Sequence, residues 1–414
     1  MPEIVLSIHA SANSVSPPAR RSLLRSRAAG AHVTNIELFF DLVFVYAVTQ
    51  LSHTLLHGLN LVSALQVLLL FLAVWWVWVF TSWVTNWLDP ERPLVRLLLL
   101  MLTLAGLLLS IALPDAFAGR GLLFAGAYVF MQVGRTLFML WALGDAAPAN
   151  TRNFQRITVW LATSGVLWLA GGWLDGQWRA WCWIVALTLE YIGPALAFPV
   201  PGLGRSSTAD WDIDGGHLAE RCSQFVIIAL GESVLVTGSS FADTLSQPQA
   251  LLAFVSAFVG SVAMWWIYFD LGAERGSVAI RHASDPGRTA RIAYTYLHLL
   301  IVAGIIVSAV ADELTLHDAS QHADAIGSAV LIGGPALYLL GNAWFKKTVN
   351  NTNLPLSHLI GMGLLAALAV AVAWKPLSVL ALGLATTLVL ALVALWETIS
   401  LRHLRRKLQE SSAL

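Results

Sequence analysis

Glu37 and Asp41 stand four residues apart, the spacing that stacks two carboxylates on one helix face, together with Thr34, Val48 and Ser52. Farther on, His217, Glu220, Arg221, Gln224, Gly231 and Glu232 recur at helical intervals. At 100° per residue they fall within about 120° of one another, a polar stripe along one helix. Arg135, Glu190 and Asp270 add three more ionisable groups inside apolar stretches. Carboxylates, a histidine and arginines in such settings exchange protons, hold cations or pair with one another. Their surroundings decide how unusual that is.

Of the 414 residues, 57% are hydrophobic and 12% are Asp, Glu, Lys or Arg, against about 25% charged in soluble domains. The mean hydropathy is +0.71. So little charge cannot cover the surface of two or three soluble domains. A soluble enzyme, a disordered chain and a basic nucleic-acid binder are therefore excluded. A membrane-spanning helix needs about 20 mostly apolar residues. Twelve such runs are predicted, at 36–57, 61–83, 94–113, 121–143, 157–174, 180–199, 217–239, 250–271, 291–311, 326–345, 358–374 and 377–401. They are continuous and Leu/Ala-rich, unlike the alternating segments of a membrane β-barrel. Of the 24 Lys and Arg residues, Arg120, Arg179 and Lys375 fall in loops on one side and Arg135 and Arg221 within spans. The other 19 share the opposite side, which places both termini in the cytoplasm. Arg20-Arg21 superficially resembles a twin-arginine export signal, but the following helix carries Glu37 and Asp41 and lacks a small-residue cleavage site.

The two halves match each other in order. Leu104–Ser110 parallels Val302–Ser308, Asp89–Arg92 parallels Asp285–Arg288, and Trp75-Trp76 parallels Trp265-Trp266. Gly126 and Gly134 pair with Gly333 and Gly341, and Glu37 with Glu220. The expected fold is an all-α polytopic membrane protein of about 12 transmembrane helices in two parallel six-helix repeats. Its parts are a cytoplasmic tail (1–32), a first repeat (33–200), a cytoplasmic linker (201–216), a second repeat (217–401) and a basic cytoplasmic tail (402–414). Repeats of one orientation are related by an axis along the membrane normal, with binding elements near their interface. The first and seventh helices are expected to meet there.

A charge in hydrocarbon costs at least ~2.5–3.5 kcal/mol, so each needs a partner or a task. Counting ~1.5 Å per residue puts Asp41, Glu220 and Arg135 at one depth in the cytoplasmic half. A cluster of Glu37, Asp41, Arg135, His217, Glu220, Arg221 and Asp270 is predicted, with acids exceeding arginines. It reads as an ion or proton site or as a structural ion-pair network. Glu190, near the midplane, and Glu232, in the outer half, have no basic neighbour at their depth. His317 and His322 are read, with Asp312, Glu313, Asp318 and Asp324, as a solvated acidic outer loop rather than a metal site. Cys182 and Cys222, each in an apolar run, give no disulfide framework or metal site. No phosphate loop, dinucleotide fingerprint or hydrolase element appears in a supporting context, so no cofactor is expected.

At Glu37–Val45, Thr49–Ser52, Trp83–Pro90, His217–Arg221 and Ile227–Ser233 the chain resembles the bacterial low-temperature-requirement A family, over about residues 32–400. The resemblance implies a multi-pass bacterial inner-membrane protein tied to growth in the cold, and it carries no mechanism. A fainter likeness is to non-canonical potassium channels built from six-helix repeats, whose first helix carries Arg-x-x-x-Phe-Ser-Asp. Here Phe39 and Asp41 keep two of those residues, while Phe40 and Asn35 replace the Ser and the Arg.

The expected function is a proton-linked transporter of a small solute or ion, not an enzyme, with polar faces of the first and seventh helices as the pathway. The alternatives are a passive cation channel and a membrane-homeostasis enzyme or sensor. The expected partners are the lipid bilayer, protons or monovalent cations, and further copies of the chain, with no nucleic acid.

Overall fold

The computed structural model describes residues 23–25, 32–144, 148–206, 214–270, 288–289, 291–350 and 353–400. The arginines at 20, 21, 27, 275 and 281, the 285–287 part of the repeated loop and the basic tail at 402–414 lie outside them.

The described residues form helices and no strands beyond isolated bridges. In chain order they are α1 (Asn35–His57), α2 (Leu61–Trp87), α3 (Pro93–Ala112), α4 (Gly121–Leu143), α5 (Pro148–Trp173) and α6 (Gly176–Ile192). The second half holds α7 (Gly215–Thr244), α8 (Ala250–Phe269), α9 (Arg291–His317), α10 (Ala325–Asn350), α11 (Leu356–Trp374) and α12 (Val379–Ser400). Ten of these are long and apolar enough to cross a membrane, all but α5 and α6.

Those two also depart most from the expected spans. α5 begins at Pro148, and its first turns carry Asn150, Arg152, Asn153, Gln155 and Arg156, which dilute its apolar character. α6 stops at Ile192, because Pro194 follows and Ala197 and Phe198 adopt left-handed backbone (φ 59° and 45°) in a tight turn. Another departure lies at the end of α9. The helix runs on to His317, so Asp312 and Glu313 belong to the bundle and not to an outer loop.

Helix starts follow from local chemistry. Asn60 accepts from Ser63 N at 3.0 Å, and Asp214 Oδ1 accepts from the backbone of Gly216 (2.8 Å) and His217 (3.3 Å). Pro93 occupies the first turn of α3, where its missing N–H costs nothing. The exterior carries large apolar side chains, such as Leu61 (74% exposed) and Trp374 (89%), as a lipid-facing surface requires. α2 is apolar all round and mostly buried, so it stands at the centre of the bundle. α1 packs on α2, α3, α7 and α9, which joins the two halves of the chain. The tryptophan pairs do not share an environment: Trp75 and Trp76 are buried, and Trp265 and Trp266 are exposed.

Candidate functional site

Thr34 and Glu37 open α1 as a capping box. Glu37 Oε2 accepts from Thr34 N and Thr34 Oγ1, both at 2.9 Å. The cap leaves the rest of the Glu37 carboxylate pointed at α7. There Oε1 meets His217 Nε2 at 2.9 Å and Arg221 Nη1 at 3.1 Å. One turn deeper, Arg221 Nη2 reaches Asp41 Oδ1 at 2.6 Å, and Trp78 Nε1 of α2 donates to the same oxygen at 2.8 Å. The Arg221 guanidinium lies over the rings of Phe40 and Trp78, 5.9 and 5.8 Å from their centres. Glu37, Asp41, His217 and Arg221 are wholly buried. The expected meeting of α1 and α7 is therefore a sequence of charged contacts.

Asn86 ties the start of α7 to α2 beside His217. Its amide is paired both ways with the Asp214 backbone, Nδ2 to O and N to Oδ1, each at 2.8 Å. Asn86 Nδ2 also faces His217 Nδ1 at 3.4 Å. A donor facing Nδ1 favours the ring proton on Nε2, which faces Glu37 Oε1 at 2.9 Å and Arg25 Nη2 at 3.3 Å.

Arg25 is the member that sequence reasoning missed. The sequence places it in the cytoplasmic tail, but residues 23–25 run along the end of α2. Arg25 N donates to Trp87 O, and Asp89 N to Leu23 O, both at 2.8 Å. The Arg25 side chain then enters the cluster: Nη2 meets Glu37 Oε2 at 2.9 Å, and Nε donates to Thr85 O at 2.8 Å. Two arginines thus face two carboxylates. The predicted excess of acid is absent from this network, because Glu220 and Asp270 lie elsewhere and Arg25 joins. Only a tertiary contact could reveal it, since no local pattern marks an arginine twelve residues before its partner.

The other predicted residues divide. Glu220 is half-buried, and its Oε2 accepts from Val33 N at 3.3 Å. Asp270, at the end of α8, accepts from Thr398 Oγ1 at 3.4 Å. Higher on the α1–α7 interface, Thr49 Oγ1 donates to Glu232 Oε1. Between the two levels, Gln224 presents a buried Oε1 with no hydrogen-bond partner.

Arg135 and Glu190 form a second centre. α4 is interrupted at Phe130–Gly134 by a π-helical turn, which re-aims Gln132 and Arg135. Arg135 donates to Thr81 Oγ1 at 2.9 Å and to Gln132 Oε1 at 2.5 Å. Gln132 Nε2 in turn donates to Glu190 Oε2 at 2.9 Å. Tyr128 donates to the same oxygen at 2.5 Å, while Ser164 (2.7 Å) and Trp168 (2.9 Å) donate to Oε1. Glu190 is therefore linked to a basic group through one amide. Arg135 does sit level with Asp41, since both touch the same stretch of α2. Trp78 faces Asp41, whereas Val77 and Thr81 face Arg135 on another side of that helix.

Five buried atoms on α1 and α7 have no hydrogen-bond partner: Asp41 Oδ2, Ser52 Oγ, Arg221 Nε, Gln224 Oε1 and Ser233 Oγ. Buried polar atoms are nearly always paired, so such a set marks a place for exchangeable protons or water. Farther along, Lys346 and Glu397 pair at 2.6 Å, with His358 3.6 Å from Glu397. An aromatic cleft of about 590 Å³ opens between α2, α5 and α9, lined by Trp76, Phe80, Trp83 and Tyr296, with Arg288 and Arg291 among its walls. Among the described residues no three His, Cys, Asp or Glu side chains converge as for a metal ion.

This is a multi-pass helical membrane protein with a buried ionic network joining its two halves. The profile of the bacterial low temperature requirement A protein (LtrA) family matches residues 32–395, and the chain belongs to that family. It is 43% identical over 370 residues to the uncharacterized protein RA0937 of Rhizobium meliloti (strain 1021), covering 89% of this chain and 90% of that one. No solved structure matches the chain significantly.

Proposed function

We propose that this protein is a proton-linked transporter of a small solute or ion in the bacterial inner membrane, with the facing sides of α1 and α7 as its pathway. The reading takes the twelve long helices as twelve spans in two parallel repeats, with both termini cytoplasmic. The observation that carries it is the unpartnered Oδ2 of Asp41, beside an Oδ1 bonded to both Arg221 and Trp78. Glu37 is held by five donor contacts and has no room for a proton. Asp41 accepts on one oxygen only, so a proton can enter at Oδ2 without breaking a bond. Protonation would weaken its hold on Arg221 and loosen α7 from α1, the event a carrier needs.

The burial of Glu37, Asp41, His217 and Arg221 favours a carrier over a passive cation channel, whose pore would hydrate the first helix. The cold-growth association of the family gives the setting and no substrate. The test is proton flux into liposomes that hold the purified protein and a trapped pH-sensitive dye, under an imposed pH gradient. A small-molecule extract of bacterial cytoplasm is supplied on one side. The wild type should carry flux above empty liposomes, and Asp41→Asn should reduce it at least tenfold. Equal flux in the two proteins, or none above empty liposomes, would refute the assignment.

A further inference from the structure

A second, smaller cavity lies among α8, α9, α10 and α12, away from the α1–α7 network. Its one charged lining residue is Asp312. This aspartate sits five residues before the end of α9, ~7 Å inside the helix terminus. No Lys, Arg or His lines the cavity, and Asp312 has no hydrogen-bond or ion-pair partner among the described residues. One turn away, Ser308 is 5% exposed and its Oγ is also without a partner. Asp312 is half-buried, and an isolated carboxylate within a membrane span is costly unless something neutralises it.

The neutral walls are built for a cation. Thr315 donates its hydroxyl proton to Ala311 O at 2.7 Å, and Thr386 to Gly383 O at 3.0 Å. Ser256 donates to Thr387 Oγ1 at 3.1 Å. With those protons engaged, the hydroxyls turn lone pairs rather than donors to the cavity. α10 carries a break in its helical bonding beside the cavity. Pro335 lies inside that helix, and both Pro335 and Leu331 line the cavity. A proline lacks the N–H that would bond the carbonyl four residues earlier, so the Leu331 carbonyl loses its helical donor. In membrane bundles a backbone interrupted in this way is tolerated where it lines a cavity, and freed carbonyls there serve cations.

We propose that this cavity binds a monovalent cation of sodium size, with the Asp312 carboxylate as the charged ligand and Ser308 Oγ and the Leu331 carbonyl among the neutral ones. A single carboxylate suits one positive charge. Hard divalent ions call on more anionic oxygen than is present here. The inference stands independently of the α1–α7 pathway, and either reading survives failure of the other.

The test is binding of radiolabelled sodium to the purified full-length protein in detergent, with unlabelled NaCl or choline chloride as competitor. The expected result is saturable binding near one ion per chain, displaced by NaCl and not by choline chloride. Asp312→Asn should lower the affinity at least tenfold, and Ser308→Ala several-fold. Should Asp312→Asn fail to fold, Ser308→Ala and the wild-type competition decide. Binding no greater than to protein-free micelles, displacement by choline, or wild-type affinity in both variants would overturn the site.

Discussion

Replacing Glu37 by glutamine separates the structural account from a reading by repeat symmetry, which pairs Glu37 with Glu220. The Glu37 carboxylate accepts on Oε1 from His217 and Arg221, and on Oε2 from Arg25, Thr34 N and Thr34 Oγ1, at 2.9–3.1 Å. A glutamine keeps one acceptor and adds an NH₂. Whichever way it turns, that group faces donors with another donor. Arg221 is left with Asp41 as its only carboxylate. Breaking one side of a buried ion pair costs about 3–5 kcal/mol. An unfolding entropy of about 2.1 cal/mol/K per residue, over 414 residues, corresponds to roughly 0.9 kcal/mol per degree. Glu37→Gln should therefore lower the Tm in detergent by about 3–6 °C. Glu220→Gln loses at most part of one 3.3 Å bond to Val33 N, worth about 0.5 kcal/mol or less, so its Tm should move by under about 1 °C. Tryptophan fluorescence during heating of the full chain reads both. A Glu37→Gln protein within a degree of wild type, or equal losses in the two variants, would refute the assignment of the network.

Gly304 and Gly333 make a second contrast. A Cβ on Gly304 would lie 2.5 Å from Tyr338 N, where α9 crosses α10, whereas one on Gly333 meets nothing within 4 Å. Gly304→Ala should cost about 1–3 kcal/mol and Gly333→Ala should be neutral or slightly stabilising, as thermal unfolding would register. The cysteines differ in access: Cys182 is partly exposed and Cys222 buried. A maleimide should label Cys182 alone in the folded protein and both residues after denaturation, as intact mass would record.

How legible the site was depended on distance along the chain. Glu37 and Asp41 share a helix, and so do His217, Arg221 and Gln224, so helical spacing alone put each set on one face. Their depth followed from counting residues, and Arg135 does sit level with Asp41. Counting cannot give direction around a bundle, however. Arg135 meets a different side of α2 and joins Glu190 through Gln132. Arg25 was invisible, since its partners lie in Glu37 and in the backbone of α2. Asp312 looks like a loop residue in sequence because hydropathy falls at the last turns of α9, while the helix continues to His317.

The sequence by itself determined that the chain is helical, lies in a membrane and retains a few charges there. Those properties are sums along the chain: apolar length, charge spacing and the cost of charge in hydrocarbon. Only the tertiary structure decided which charges meet, which stay alone and which atoms lack a partner. A salt bridge is set within about 4 Å, a distance that depends on how helices rotate and cross. Rotation and crossing are decided by packing between segments far apart in the chain, as at Gly304 against Tyr338.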